Sequence, residues 1–144
     1  RFCTGDGFVE IETPALVSSP GLEPHLSALE VFCTNQDGTK IKKYLHTSPE
    51  YCLKKLLGKG WEKIFQVCRV FRDGEIGRTH QIEFTMLEWY RAGAGAAAEM
   101  GDIEDLCRDL AREVLGREEI RRDGGSGALP GPRHRWRPSA AFFK

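Results

Sequence analysis

The chain has 144 residues, about one domain's worth, so it can bury one core but has no room for two complete domains and a linker. Lys plus Arg and Asp plus Glu are both 21, giving a formal net charge of zero, so any phosphate-binding charge must be local rather than a field over the whole surface. Hydrophobic residues at 40% and charged residues at 29% fit a soluble globular protein, and no apolar run approaches the roughly 20 residues of a membrane helix. The five cysteines, Cys3, Cys33, Cys52, Cys68 and Cys107, are odd in number and widely spaced. They argue against a disulfide framework or a structural zinc site and favour a reducing cytoplasm. The first residue is Arg and no charged-then-apolar leader follows, so the natural start is expected upstream.

In chain order, Phe8 to Glu12 alternates apolar and acidic residues and stops at Thr13-Pro14, which predicts a strand ended by a residue that cannot donate to a ladder. Ser18 to Pro24 reads as loop. Leu29 to Thr34 and Lys40 to Leu45 flank Asn35-Gln36-Asp37-Gly38, and the Asp-Gly pair predicts a hairpin. Thr47-Ser48-Pro49-Glu50 reads as a helix start, with a hydroxyl cap, a proline whose missing N–H costs nothing at the first position, and an acid at the positive end of the dipole. That helix is expected to run to about Leu57 and end at Gly58.

Lys63 to Phe71 reads as a strand whose odd positions Phe65, Val67 and Phe71 form a core face and whose even positions form a working face. After a polar loop from Asp73 to Gln81, a second strand from Glu83 to Arg91 puts Phe84, Met86, Glu88 and Tyr90 on one side, with Glu83 and a core-facing Trp89 on the other. Ile103, Leu106, Cys107, Leu110, Ala111 and Val114 recur at helical spacing, with Asp102 placed to cap that helix and Gly116 to end it. Strands precede helices, so the expected class is α+β, an antiparallel sheet flanked by helices. Within the last 28 residues seven Lys or Arg face three Asp or Glu, with four Gly and three Pro. Residues 117–144 therefore read as a basic, poorly ordered tail.

The two strands around the loop would gather a fixed cation (Arg72), an aromatic plate (Phe84), a deeper carboxylate (Glu88) and a phenol (Tyr90), with His80 in the loop above. Such a surface suits a nucleotide together with a cationic small molecule. A carboxylate approaching a phosphate is anion against anion, and a bidentate guanidinium can hold both. Taken singly, each of these residues also fits a solvated hairpin face, and Glu50 is equally explained as a helix N-terminal acid.

The run F-R-x-x-E followed by H-x-x-E-F-T-M-L-E-W-Y-R resembles motif 2 of class II aminoacyl-tRNA synthetases of the lysyl type. Phe8 to Pro14 resembles the strand end of their motif 1, and Thr47 to Glu50 their T-S-P-E segment. Gln66-Val-Cys-Arg69 and Met86-Leu-Glu-Trp-Tyr-Arg91 are more similar to the branch of that family that attaches β-lysine to a lysine of elongation factor P. The likeness spans about residues 7 to 116. It implies a partial catalytic domain over residues 1–116 and an ATP- and Mg²⁺-dependent ligase that forms an aminoacyl-adenylate of lysine or β-lysine. The acceptor would be elongation factor P or, alternatively, tRNA. A homodimer in the cytoplasm is implied for the full-length protein, and an inactive synthetase-like module is the non-enzymatic alternative.

By the same resemblance, Arg72 is the catalytic residue, holding the α-phosphate and the substrate carboxylate. ATP would also meet Asp73, Gly74, Glu75, His80, Gln81 and Phe84, with His80 on the γ-phosphate and Phe84 on adenine. Ser48, Pro49 and Glu50 would meet the substrate's amino end, and Glu88 and Tyr90 its ε-ammonium; no metal-ligating residue is assigned. The usual acid two residues after the arginine is here Gly74, with Glu75 one later, and Gln81-Ile82 stands where Asn-Pro is common. No glycine-rich motif 3 is evident, so the chain is expected to be the amino half of a catalytic domain, without turnover by itself.

Overall fold

The computed structural model describes residues 5–116, 119–122 and 125–128. Contacts divide the chain into two units, Cys3–Ala92 and a second formed by Gly93–Lys144 with Arg1–Phe2.

The first unit is two small sheets and a helix. One sheet has the order β1 (Val9–Glu10), β5 (Lys63–Phe71), β6 (Glu83–Arg91); the other has the order β2 (Leu16–Val17), β4 (Lys40–Leu45), β3 (Glu30–Thr34). The class is α+β and the pairing mostly antiparallel, as the sequence predicts. The exception is β1, which joins β5 in parallel through Val9↔Ile64 and Glu10↔Phe65. β1 is shorter than the alternation suggests, and Ile11 N–H still donates to Phe65 O at 2.8 Å before the chain leaves the sheet at Thr13-Pro14. The β3–β4 hairpin falls where Asp-Gly predicts it, with Gly38 at φ +84°, a conformation that costs a residue without Cβ little. β2 has no counterpart in the sequence reading, because two residues are too few to show a period.

His46, directly after β4, ties the two sheets together. Its N–H donates to Ala15 O at 2.9 Å, and its carbonyl accepts from Phe71 N–H at 3.0 Å. Its ring Nε2 lies 2.7 Å from Arg69 O, so that nitrogen carries the proton. The buried imidazole thereby satisfies the edge of β5 that β1 has left.

Helix α1 (Glu50–Leu57) follows at once. Pro49 stands at its boundary with φ −75°, and its carbonyl accepts from both Cys52 and Leu53 N–H at 3.0 Å, so its ring sits where a missing donor is harmless. Ser48 Oγ accepts from Glu50 N–H at 3.0 Å, the capping role expected of a hydroxyl.

The core of this unit is Phe8, Leu53, Ile64, Phe65 and Val70, with Leu53, Ile64 and Val70 at 0% exposure. The face assignment on β5 holds at Phe65, which is buried, and fails at Val67. The even positions Ile64, Gln66 and Val70 are buried, whereas Val67 on the expected core face is 51% exposed. The physical reason is the lead-in to α1, whose Ser48 is hydrogen-bonded to Glu88 on the even face of β6, so the covered face is the one carrying the polar residues. Trp89, expected in the core, is half-buried on the other face.

In the second unit, α2 runs Ala96–Leu115 and ends at Gly116 with φ +64°, as expected. Its start differs: Gly95 is the boundary residue, and Asp102 lies buried within the helix. Ala96, Ala97 and Ala98 are strong helix formers, and Glu99 supplies the first-turn acid, so helix begins before the apolar repeat does. Ala111 is buried, but Ile103, Leu110 and Val114 of the expected core stripe are 44%, 53% and 75% exposed. Two short strands, β7 (Glu119–Arg122) and β8 (Gly125–Ala128), pair antiparallel within the stretch read as a tail, the rest of which lies outside the described residues. Among the described residues no helix is long and apolar enough to cross a membrane.

Candidate functional site

The site is built on the even face of β5–β6. Their nine-residue register pairs Val70↔Phe84, Cys68↔Met86, Gln66↔Glu88 and Ile64↔Tyr90, so one row of side chains from each strand shares a surface. Arg72 N–H donates to Ile82 O at 2.8 Å, extending the pairing one step and keeping Arg72 in that row.

At the loop end, the Arg72 guanidinium lies 5.2 Å from the centre of the Phe84 ring, within cation–π range. Its Nε donates to Thr47 O at 3.4 Å. Among the described residues no carboxylate pairs with Arg72. A half-buried guanidinium with its stem held and its terminal nitrogens uncommitted is suited to an anion, bidentate where the anion is a carboxylate or phosphate.

Toward the other end, Glu88 is held from two directions. Ser48 Oγ donates to Glu88 Oε2 at 2.7 Å, and Tyr90 Oη donates to Glu88 Oε1. The phenol is pushed well above its ordinary range by burial first, then by its bond to Glu88 and the charges of Glu88 and Glu50. Burial, followed by the Glu88 charge, also pushes the Cys68 thiol up. Glu50, in the first turn of α1, pairs with Lys54 one turn on, and its hydrogen bond and charge raise the Lys54 ammonium. Tyr90 and Cys68 therefore stay neutral, and Glu88 keeps spare lone pairs for a further donor. This end of the face is chemically suited to an ammonium group.

Of the site residues expected from sequence, two groups come together: Arg72 with Phe84, and Ser48 with Glu88 and Tyr90. Glu50 adjoins the second group and Pro49 is buried behind it. The loop residues stand apart. Asp73 turns its carboxylate to Gly74 N–H at 2.9 Å, while its own N–H donates to Ser27 O at 2.8 Å. His80 is exposed and its Nδ1 lies 3.1 Å from Thr79 Oγ1. With Gly74, Glu75, Ile76 and Gly77 it lines a shallow cavity of about 300 Å³, and Gln81 beside it is exposed. The sequence reading missed Thr47, whose carbonyl holds Arg72, and Gln66, which is 2% exposed and opposite Glu88. Counting pairs outward from the Asp73–Gln81 loop places Gln66 opposite Glu88 but does not reveal its burial. Among the described residues no group of three or more His, Cys, Asp or Glu side chains could hold a metal ion.

The sequence matches the family described as tRNA synthetases class II (D, K and N) over residues 1–141, and the chain belongs to that family. Among curated relatives it is 39% identical over 110 residues to an elongation factor P–(R)-β-lysine ligase homolog of Aquifex aeolicus, covering 76% of this chain and 37% of that protein. It is 40% identical over 111 residues to an elongation factor P–(R)-β-lysine ligase of Salmonella heidelberg, covering 76% of this chain and 34% of the relative, and equally to one of Salmonella typhimurium. The chain thus spans about a third of the length of the curated relatives it matches.

Proposed function

We propose that this chain is part of a cytoplasmic ligase that activates lysine or β-lysine with ATP as an aminoacyl-adenylate and passes it to a lysine side chain of elongation factor P. The observation that carries the reading is the spacing of two opposite chemistries along one strand face, an uncommitted guanidinium on an aromatic ring at one end and a doubly held carboxylate at the other. A zwitterionic amino acid with a second amine matches that polarity, carboxylate toward Arg72 and ammonium toward Glu88.

In this mechanism the substrate carboxylate attacks the α-phosphorus of ATP and pyrophosphate leaves. The acceptor amine then attacks the mixed anhydride and AMP departs. Arg72 holds the two anions together and takes up charge developing at phosphorus, Phe84 offers its ring to the adenine, and His80 reaches the γ-phosphate from the loop. Ser48 and Tyr90 keep Glu88 aimed, and Glu50 meets the substrate's amino end, so catalysis is mostly positioning. Mg²⁺ would partly neutralise the triphosphate; the described residues do not supply a cage for it. The homodimer belongs to the full-length protein.

A second reading, in which tRNA is the acceptor, is favoured by the lysine branch (K) within the matched family description. The sequence encoded upstream separates the two: an anticodon-binding domain supports tRNA, and an almost immediate start supports the protein acceptor. The test of the activation step is R72A in a full-length relative carrying the same motif. Amino-acid-dependent exchange of pyrophosphate into ATP is expected to vanish while thermal unfolding is little changed; retained exchange removes Arg72 from its role.

A further inference from the structure

Gln66 is more deeply buried than any group it serves beside, at 2% exposure, and a primary amide in that setting needs partners. One is Thr13, whose hydroxyl donates to Gln66 Oε1 at 2.9 Å. Thr13 lies in the segment leaving β1, on the far side of β5 from β6, so this bond crosses from one neighbour of the central strand toward the other. Gln66 is the register partner of Glu88, and directly opposed residues on one face of an antiparallel pair have Cβ atoms roughly 4.5–5.5 Å apart. Behind it lies a cavity of about 720 Å³ lined by Glu10, Thr13, His46 and Gln66 among others. Gln66 thus lines that cavity and is also the residue paired with Glu88 across the strands.

The charge inventory gives this position its meaning. Around Glu88 stand Glu50 and Lys54 from α1, Ser48 from its lead-in, Tyr90 from β6 and Cys68 from β5. Tyr90 and Cys68 are neutral, and Lys54 is committed to Glu50. A second acid opposite Glu88 would force two carboxylates to share one desolvated face, which raises the protonation of one of them. An amide has similar shape and no charge.

We infer that Gln66 is a positioning residue for Glu88, a neutral spacer that leaves Glu88 the one carboxyl group of the facing pair, open to one ammonium group, and that Thr13 fixes the orientation of its amide. The inference deepens the ligase reading and rests on it for the identity of the amine.

The test is carboxyl-carbon NMR of Glu88 in the full 144-residue chain, as wild type, Q66E and T13V. In Q66E the pair is expected to titrate in two coupled steps, with one midpoint raised by about a pH unit or more. T13V removes one hydroxyl and should fold; it is expected to move both the Gln66 side-chain amide resonances and the Glu88 midpoint. An unchanged Glu88 titration in Q66E overturns the inference. If Q66E does not fold, T13V decides: movement of the Gln66 amide without movement of Glu88 overturns it equally. Titration of a full-length relative carrying the same motif with L-lysine and (R)-β-lysine separates the two claims. Coupled carboxyls without amine binding would defeat the ligase reading and leave the role of Gln66 intact, whereas amine binding with uncoupled carboxyls would do the reverse.

Discussion

Glu88→Gln keeps the shape of the side chain and removes its charge, so it isolates what the carboxylate contributes to recognising an ammonium. Two of its acceptor sites are already filled, by Ser48 at 2.7 Å and by Tyr90. An incoming amine would therefore add one charge-assisted hydrogen bond rather than build the pocket. Such a bond contributes about 1.5–3 kcal/mol, and at about 1.4 kcal/mol per tenfold its loss should weaken binding of lysine by about 10- to 150-fold. Norleucine, which lacks the second amine, should lose almost nothing. Isothermal titration with both amino acids reads the difference directly. The substitution carries an internal control as well: the Tyr90 phenol should move part of the way back toward its ordinary range. It should not return fully, because burial is the largest cause of its elevation and remains. Equal weakening of lysine and norleucine, or no weakening of either, would refute the assignment of Glu88 to the amine.

The phenol also gives a stability signature. Its folded-state pKa is raised above 10.0, so as pH climbs past that value the unfolded chain releases a proton that the folded chain retains. Stability from this group is full below about pH 10 and is lost above it; Y90F should flatten the decline of the urea midpoint between pH 9 and 11 relative to wild type, and parallel curves would contradict this. Leu53→Ala deletes a side chain at 0% exposure and should cost about 2–5 kcal/mol in chemical denaturation, whereas a cost near zero would mean α1 does not seat on the sheet. S48A removes both the cap of α1 and one holder of Glu88, and should cost about 0.5–2 kcal/mol together with weaker lysine binding; loss of stability with unchanged binding would separate the two roles.

Strand and hairpin positions were legible where a local rule acts alone. Asp37-Gly38 needs no partner to ask for a turn, and the alternation from Glu83 to Arg91 survives whichever face is covered. The covered face of β5 was not legible, because Phe65, Val67 and Phe71 outnumber Ile64 and Val70 by hydrophobic count. Burial is decided instead by the helix lead-in docking through Ser48 onto Glu88, 40 residues apart in sequence. Asp102 illustrates a related failure: it has the chemistry of a cap, but three alanines before it extend the helix without announcing a boundary. Within the site, Arg72, Phe84, Glu88 and Tyr90 could be gathered by counting a period of two. Gln66 and Thr13 could not be weighed, because an amide and a hydroxyl acquire their importance only from burial.

The Ser48 hydroxyl accepts from the first backbone amide of α1 and donates to Glu88 through the same oxygen. Unwinding of the first helical turn thus also removes one of the two holds on the acid. Any cosolvent, temperature or neighbouring substitution that frays that turn should register as lost selectivity among amino acids before the fold itself gives way.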